Sequence, residues 1–213
     1  MEEVLELYKT TYDPAFPLVC LDETSKQLIS ETRPPLRRRP GRVDRYDVVY
    51  KREGVRQLFL MFEPLRGWRH VVVRRRKSAV DWAEVIAEIL ETHYPKAARV
   101  RLVMDNLNTH AGGSLYQAFP PEKARRLYER LEIHYTPKHG SWLDMAEIEL
   151  SVLTGQCLNC RIGTDSQLSR EITAWERRRN RAGSKIDWRF TTPDARIKLR
   201  KLYPTIKVLP DKE

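Results

Sequence analysis

Two short apolar runs, each ending in an aspartate, constrain the fold of this chain most strongly. The first covers residues 16–22 (FPLVCLD) and the second covers residues 99–105 (RVRLVMD). Their length and their β-branched content favour buried strands over helices. Active sites of open α/β sheets form at the carboxyl ends of parallel strands. If these two strands are parallel neighbours, Asp22 and Asp105 meet at one edge of the sheet.

The rest of the chain predicts further strands first, then helices alternating with strands, and a helical end. Strands are predicted at 45–50, 55–62, 68–74 and 133–136, and helices at 80–93, 120–131, 145–158, 166–181 and 195–202. The glycine-containing connection at 51–54 predicts a hairpin between the first two strands, and Ser78 is the expected N-cap of the first helix. This order is typical of an α/β domain with a mixed sheet.

A third acidic segment lies in residues 136–150 (TPKHGSWLDMAEIEL), where a loop leads into a helix. Asp144, Glu147 and Glu149 lie near the start of that helix, where its dipole favours carboxylates. The spacing of Asp144 and Glu147 also fits a capping box, so the pattern alone leaves capping and metal binding both open. Carboxylates that meet repel one another unless a cation lies between them, and a ligand set of oxygens alone selects Mg²⁺ or Mn²⁺.

The charge of the chain favours a polyanionic partner. There are 39 Lys and Arg against 29 Asp and Glu, a net charge of +10, and nucleic acid is the leading candidate. Basic runs occur at 33–42, 74–77 and 177–181, and each can contact phosphate or simply form a solvated face. The first contains three prolines and predicts an irregular exposed loop. The first two runs flank predicted strands and supply candidate DNA contacts: Arg37, Arg38, Arg39, Arg74, Arg75, Arg76 and Lys77.

Several classes of protein are excluded by composition. No run approaches the roughly 20 apolar residues of a membrane span, and the acidic N-terminus lacks a signal-peptide pattern. Three cysteines argue against a disulfide framework. Cys157 and Cys160 have the spacing of zinc ligands but lack a second Cys or His pair, which favours two ordinary thiols. We expect a soluble intracellular protein.

At the acidic segments the sequence resembles a known family. Asp22-Glu-Thr24, residues 103–110 (VMDNLNTH), residues 136–147 (TPKHGSWLDMAE) and the tail 188–199 (WRFTTPDARIKL) are similar to the bacterial insertion-sequence branch of the mariner-like transposases. The resemblance covers roughly residues 16 to 204. It implies an RNase H-like α/β fold, a five-stranded mixed sheet flanked by helices. It also implies a catalytic, metal-binding triad of Asp22, Asp105 and Glu147, with Glu149 as the alternative third member.

The resemblance also implies the chemistry. Two Mg²⁺ ions, for which Mn²⁺ can substitute, would promote cleavage at transposon ends and strand transfer into target DNA. Asp22 would bridge both ions. The expected partners are terminal inverted repeats and target DNA, in a homodimer or larger synaptic assembly. The expected location is the bacterial cytoplasm.

The chain departs from that family in two respects. Full-length relatives carry helix-turn-helix modules before the first catalytic strand, whereas here Asp22 follows a lead-in of residues 1–15. We therefore expect a catalytic domain at 16–182, a C-terminal extension at 183–213 and an upstream DNA-binding subunit. Asp105 and Glu147 are separated by 147 − 105 − 1 = 41 residues, and residues 111–121 are the expected loop insertion. A catalytically silent DNA-binding or dimerising fragment and a host nuclease of the same fold are the alternatives.

Residues beside the candidate ligands have open roles. Glu23 and Asn106 can orient water or phosphate, or can be ordinary polar residues at strand ends. His110 can contact substrate or cap a loop. His139 and Trp142 lie in the loop that leads to Glu147 and are candidate DNA contacts, with a buried aromatic anchor as the alternative for Trp142.

Overall fold

The computed structural model describes residues 1–33, 40–41, 48–107, 110–137 and 140–203. The predicted DNA contacts Arg37, Arg38, Arg39 and His139, and the first half of the predicted strand at 45–50, lie outside the described residues. In the part of the chain that is described, no helix is both long and apolar enough to cross a membrane.

Five strands form one mixed sheet, as predicted. They are β1 (Leu18–Glu31), β2 (Tyr50–Glu63), β3 (Trp68–Arg74), β4 (Val100–Met104) and β5 (Leu131–Tyr135), in the order β3-β2-β1-β4-β5. Strands β1, β2 and β3 are antiparallel neighbours, while β4 is parallel to both β1 and β5. The two strands that carry the aspartates are therefore adjacent and parallel.

Seven α-helices surround this sheet within the described ranges. They are α1 (Glu2–Leu7), α2 (Ala79–Glu88), α3 (Gly112–Ala118), α4 (Pro121–Glu129), α5 (Met145–Leu153), α6 (Asp165–Arg181) and α7 (Thr192–Lys198). Ser78 caps α2, as predicted, in a capping box with Asp81. Both α2 and α5 continue into π-helical turns, at Ile89–His93 and Thr154–Leu158.

Two predictions about connections are wrong. The expected hairpin at 51–54 does not exist, because β2 runs unbroken through it; an extra residue of β2 opposite β1 forms a bulge, and Gly54 there has φ +99°. Some bulges place a residue at positive φ, as many tight turns do, so one glycine can signal either. The expected loop insertion at 111–121 contains α3, which forms because Leu115 is fully buried.

The core has two layers, one on each face of the sheet. Side chains alternate between faces along a strand, so Leu18 and Cys20 of β1 pack with α1, α5 and α6, while Val19 and Leu21 pack with α2 and α4. By the same alternation, Asp22 points to the face that α5 covers. The fold thus sets one aspartate directly beneath the helix that carries the third acidic residue.

Candidate active site

The strand register brings Asp22 and Asp105 together. The last residues paired between β1 and β4 are Cys20 and Val103, and each aspartate lies two residues further along its own strand. Neighbouring strands are about 4.8 Å apart, so the two carboxylates lie side by side on one face. Contrary to prediction, Asp22 does not end its strand: β1 continues to Glu31 because β2 pairs with it there.

The α5 helix places Glu147 above these aspartates. Asp144 is the N-cap, and its Oδ1 accepts a hydrogen bond of 2.8 Å from the Ala146 backbone N–H. Glu147 therefore lies in the first helical turn and is exposed. Together with Asp22 it lines an open cleft of about 700 Å³, whose other walls are Glu23, Thr24, Leu150, Ser151, Thr154, Gly155 and Asn159.

Electrostatic repulsion is concentrated at this cleft. Burial, with Glu23, Asp105 and Glu147 close by, raises the pKa of Asp22 to about 7. Burial and the neighbouring Asp22 also raise the pKa of Asp144 well above its usual range, and Oδ2 of Asp144 is buried without a hydrogen-bond partner. A cation bound between them would stabilise the charged form of carboxylates held this way. The oxygen-only donor set fits Mg²⁺ or Mn²⁺.

The three candidate ligands are not drawn tightly together. The carboxylates of Asp22, Asp105 and Glu147 do not offer three oxygen atoms, one from each residue, that all lie within 4.8 Å of one another. This separation is expected of like charges. The Glu147 side chain is exposed and free to change rotamer, so it can approach the two aspartates when a cation offsets the repulsion.

Glu149, the alternative third ligand, points into the protein. Its side chain is 1% exposed and forms an ion pair with Arg69, which is 0% exposed, at 2.8 Å between Oε1 and Nε. Arg179 of α6 donates two further hydrogen bonds to the two carboxylate oxygens, of 3.0 and 2.9 Å. Both oxygens of Glu149 are therefore engaged in holding α5 to β3 and α6.

Behind Asp105 lies a buried histidine whose role the sequence left open. Nδ1 of His110 is 2.7 Å from Oδ1 of Asp105, and its Nε2 is 3.3 Å from Oε2 of Glu23. Trp82 of α2 stacks on the imidazole with ring centroids 5.9 Å apart. Burial opposes charge on this ring, but Glu23 and Asp105 raise the pKa of His110. The histidine thus orients the Asp105 carboxylate, whereas Asn106 is exposed at the rim.

The candidate DNA contacts that the structure describes at 74–77 differ in their surroundings. Arg75, Arg76 and Lys77 are exposed after β3, and Nζ of Lys77 is 3.4 Å from Glu23. Arg74 instead contacts Glu84 and Glu88 of α2 at 3.7 Å.

Three further residues that the sequence analysis considered are Trp142, Cys157 and Cys160. The Trp142 ring is 37% exposed and stacks parallel to Trp188 at 6.3 Å, which shows that the C-terminal segment supports the loop before α5. Cys157 and Cys160 are free thiols.

Solved structures share this fold. The chain superposes on the pre-cleavage Mos1 transpososome with a TM-score of 0.57 and 14% identity, over 85% of this chain and 55% of that one. The Mos1 mariner paired end complex with Mn superposes with a TM-score of 0.54 and 15% identity, again over 85% of this chain and 55% of that one. The Mos1 strand transfer complex superposes with a TM-score of 0.53 and 16% identity, over 83% of this chain and 51% of that one. The chain therefore spans about half the length of these structures and shares their RNase H-like fold.

Sequence comparison identifies the family. No curated protein matches the chain in sequence. The family model described as DDE superfamily endonuclease matches residues 17–169, which include Asp22, Asp105 and Glu147. This match covers well over half of the chain, and the chain belongs to the DDE superfamily of endonucleases.

Proposed function

We propose that this chain is the catalytic domain of a DNA transposase of the bacterial insertion-sequence type. The observation that carries the proposal is the grouping of Asp22, Asp105 and Glu147: burial, with the carboxylates of Glu23, Asp105 and Glu147 close by, raises the pKa of Asp22 to about 7. Residues 16–182 form the catalytic domain in this proposal, between the lead-in 1–15 and the extension 183–213. In the described part of these segments, Tyr8 donates a hydrogen bond of 2.6 Å to the Leu143 carbonyl oxygen, and the Trp188 ring stacks on Trp142.

Asp22, Asp105 and Glu147 are the proposed ligands of the divalent ions. Bound Mg²⁺ or Mn²⁺ would activate a water or a DNA 3′-hydroxyl and would stabilise the leaving oxygen. Asp22 is the proposed shared ligand, because Asp105 and Glu147 both lie close enough to raise its pKa. Asp105 is held in place by His110, and Glu147 brings its carboxylate from the helix above. No nucleophilic side chain is needed, and the described part of the cleft offers none beyond the hydroxyls of Thr24, Ser151 and Thr154.

DNA is the proposed substrate and partner. The exposed Arg75, Arg76 and Lys77 follow β3 and are the proposed phosphate contacts. Trp142, which is 37% exposed, is a proposed aromatic contact for a base. Arg74, Arg37, Arg38, Arg39 and His139 are proposed as contacts from the sequence. The matched Mos1 structures are paired-end and strand-transfer complexes, which supports DNA as the partner in a synaptic assembly. On the resemblance of the sequence alone, the proposal adds that this assembly is a homodimer or larger, that it acts on terminal inverted repeats and target DNA, and that it works in a bacterial cytoplasm.

The proposal is tested by nicking of supercoiled DNA and by cleavage of oligonucleotide duplexes in the presence of Mg²⁺, Mn²⁺, Ca²⁺ or EDTA. We expect cleavage with Mg²⁺ and Mn²⁺ and none with EDTA, because the carboxylates alone cannot activate water. DNA binding in a gel-shift assay should persist in EDTA and weaken steeply with salt. Metal-independent cleavage would contradict the proposal, and DNA binding with no cleavage under any metal would favour the silent fragment.

His110→Gln is expected to slow cleavage about 10- to 100-fold, the usual cost of losing a partner that orients a metal ligand. The Mn²⁺ concentration needed for half-maximal cleavage should rise, because Asp105 loses the 2.7 Å contact that fixes it. His134→Gln is the matched control, since His134 binds Glu3 and Glu132 at the far edge of the sheet. A His110→Gln variant with reduced stability but an unchanged Mn²⁺ requirement would show that His110 serves packing alone.

A further inference from the structure

A second group of metal-binding side chains lies on the opposite face of the sheet. It consists of His70 on β3, Glu88 at the end of α2 and His93 in the following π-helical turn, and one ligand atom from each lies within 4.8 Å of the other two. His70 pairs across the sheet with Met61, which pairs with Leu21. All three side chains point to the α2 face, away from Asp22. The group is therefore separate from the candidate active site.

The distances suit a tetrahedral ion. Nε2 of His70 is 3.2 Å from Oε1 of Glu88, and Nε2 of His93 is 3.7 Å from the same oxygen. Around zinc, with ligand bonds of 2.0–2.1 Å, adjacent ligand atoms lie about 3.3 Å apart. Small rotations of these side chains would place all three ligand atoms around one ion. Their exposure of 20% to 30% leaves room for ion entry and for a water as fourth ligand.

One ligand atom lacks a partner. Nε2 of His93 is buried and forms no hydrogen bond with any of the described residues. An imidazole nitrogen without a hydrogen-bond partner has a lone pair that can bind a metal. Imidazole with carboxylate is a donor set that zinc prefers and that Mg²⁺ does not.

The ring of His70 is oriented as metal-binding histidines usually are. Its second nitrogen, Nδ1, lies 3.3 Å from Oε1 of Glu176 on α6, and a carboxylate in that position fixes the tautomer that leaves Nε2 for the ion. Trp68 packs against the His93 ring with centroids 4.9 Å apart. Arg74 contacts the other oxygen of Glu88, Oε2, which leaves Oε1 for the shared position.

The π-helical turn explains how Glu88 and His93 face the same point. Residues five apart are about 140° apart around a regular α-helix and cannot share a ligand. Here the Tyr94 backbone N–H bonds to Ile89 O at 2.9 Å, an i→i+5 bond, which widens the turn and brings His93 beside Glu88. Such turns are costly and occur frequently at functional sites.

We infer that His70, Glu88 and His93 bind a zinc ion that ties the edge strand β3 to the end of α2. The ion is structural and independent of the DNA chemistry. Its loss would loosen the edge of the sheet, immediately before the basic residues 74–77.

The inference is tested by calorimetric titration of Zn²⁺ into the full chain in excess Mg²⁺, which occupies oxygen-only sites. We expect one Zn²⁺ per chain, at least about tenfold weaker binding in both His70→Gln and His93→Gln, and unchanged binding in the control His134→Gln. Glu176→Gln should weaken binding about tenfold or more, since it removes the orienting carboxylate. Because Glu176→Gln retains an oxygen that can accept from Val71, it guards against loss of folding in the histidine variants.

Co²⁺ substitution gives an independent readout. Visible d–d absorption should appear in the wild type and vanish in His93→Gln, without a thiolate charge-transfer band. Absence of stoichiometric binding, or equal affinity in wild type, His70→Gln and His93→Gln, would overturn the inference. So would a thiolate band lost in Cys157→Ser. Each of these outcomes is independent of whether the chain cleaves DNA.

Discussion

Asp105→Asn and Glu147→Gln are each expected to reduce metal-dependent DNA cleavage by at least about a thousandfold. Transition-state stabilisation by a bound metal ion amounts to several kcal/mol, which corresponds to a factor of this size. Both changes keep the shape of the side chain and remove one charge from a cleft of repelling carboxylates. Melting temperature should therefore be unchanged or raised, so that loss of activity cannot be attributed to unfolding.

The matched control for this prediction is Glu122→Gln, on the exposed face of α4. It removes the same charge from the same type of residue and should cleave DNA at the wild-type rate. Cleavage by Asp105→Asn or Glu147→Gln at more than about a tenth of the wild-type rate would show that the residue is not a metal ligand.

The second large effect concerns stability. Glu149→Gln is expected to lower the free energy of unfolding by about 3–5 kcal/mol, because it leaves Arg69 buried without a counter-charge. Arg69 is 0% exposed and Glu149 is 1% exposed, so solvent cannot compensate. For a chain of this size that corresponds to a fall in Tm of roughly 6–20 °C. Thermal and urea denaturation, with Glu122→Gln again as control, measure the change.

The same variant separates the two candidate third ligands. At a temperature where Glu149→Gln is fully folded, it should still cleave DNA, since its carboxylate points away from the cleft. If folded Glu149→Gln were inactive while Glu147→Gln cleaved DNA, the assignment of the third ligand would be reversed.

The sequence contains a signal that separates Glu147 from Glu149. Ala146, Leu150 and Leu153 recur at helical spacing and define the buried face of α5. Glu149 falls on that face and Glu147 does not. The capping-box spacing drew attention to Asp144 and Glu147, and Asp144 is indeed the N-cap. The pattern could not predict the partner of Glu149, because Arg69 lies 80 residues earlier in the chain, on β3.

The two aspartates were predictable because each follows a short apolar run, and the burial of such a run is a local property. The resemblance supplied the five strands and their mixed order. The length of β1 was not predictable, since it depends on pairing with β2 through the bulge at Gly54. The contact of His110 with Asp105 depends on the path of residues 106–110, and the grouping of His70, Glu88 and His93 depends on a π-helical turn. Neither has a periodic pattern that sequence alone would reveal.

The most direct test of the central claim is the location of Mn²⁺ in crystals of this chain, by anomalous scattering. The account predicts anomalous density bonded to the carboxylates of Asp22 and Asp105, with Glu147 turned toward it, and its loss in Asp105→Asn. Protein that cleaves DNA with Mn²⁺ but shows no anomalous density at Asp22 and Asp105, or density at other residues only, would contradict the assignment of this cleft as the active site.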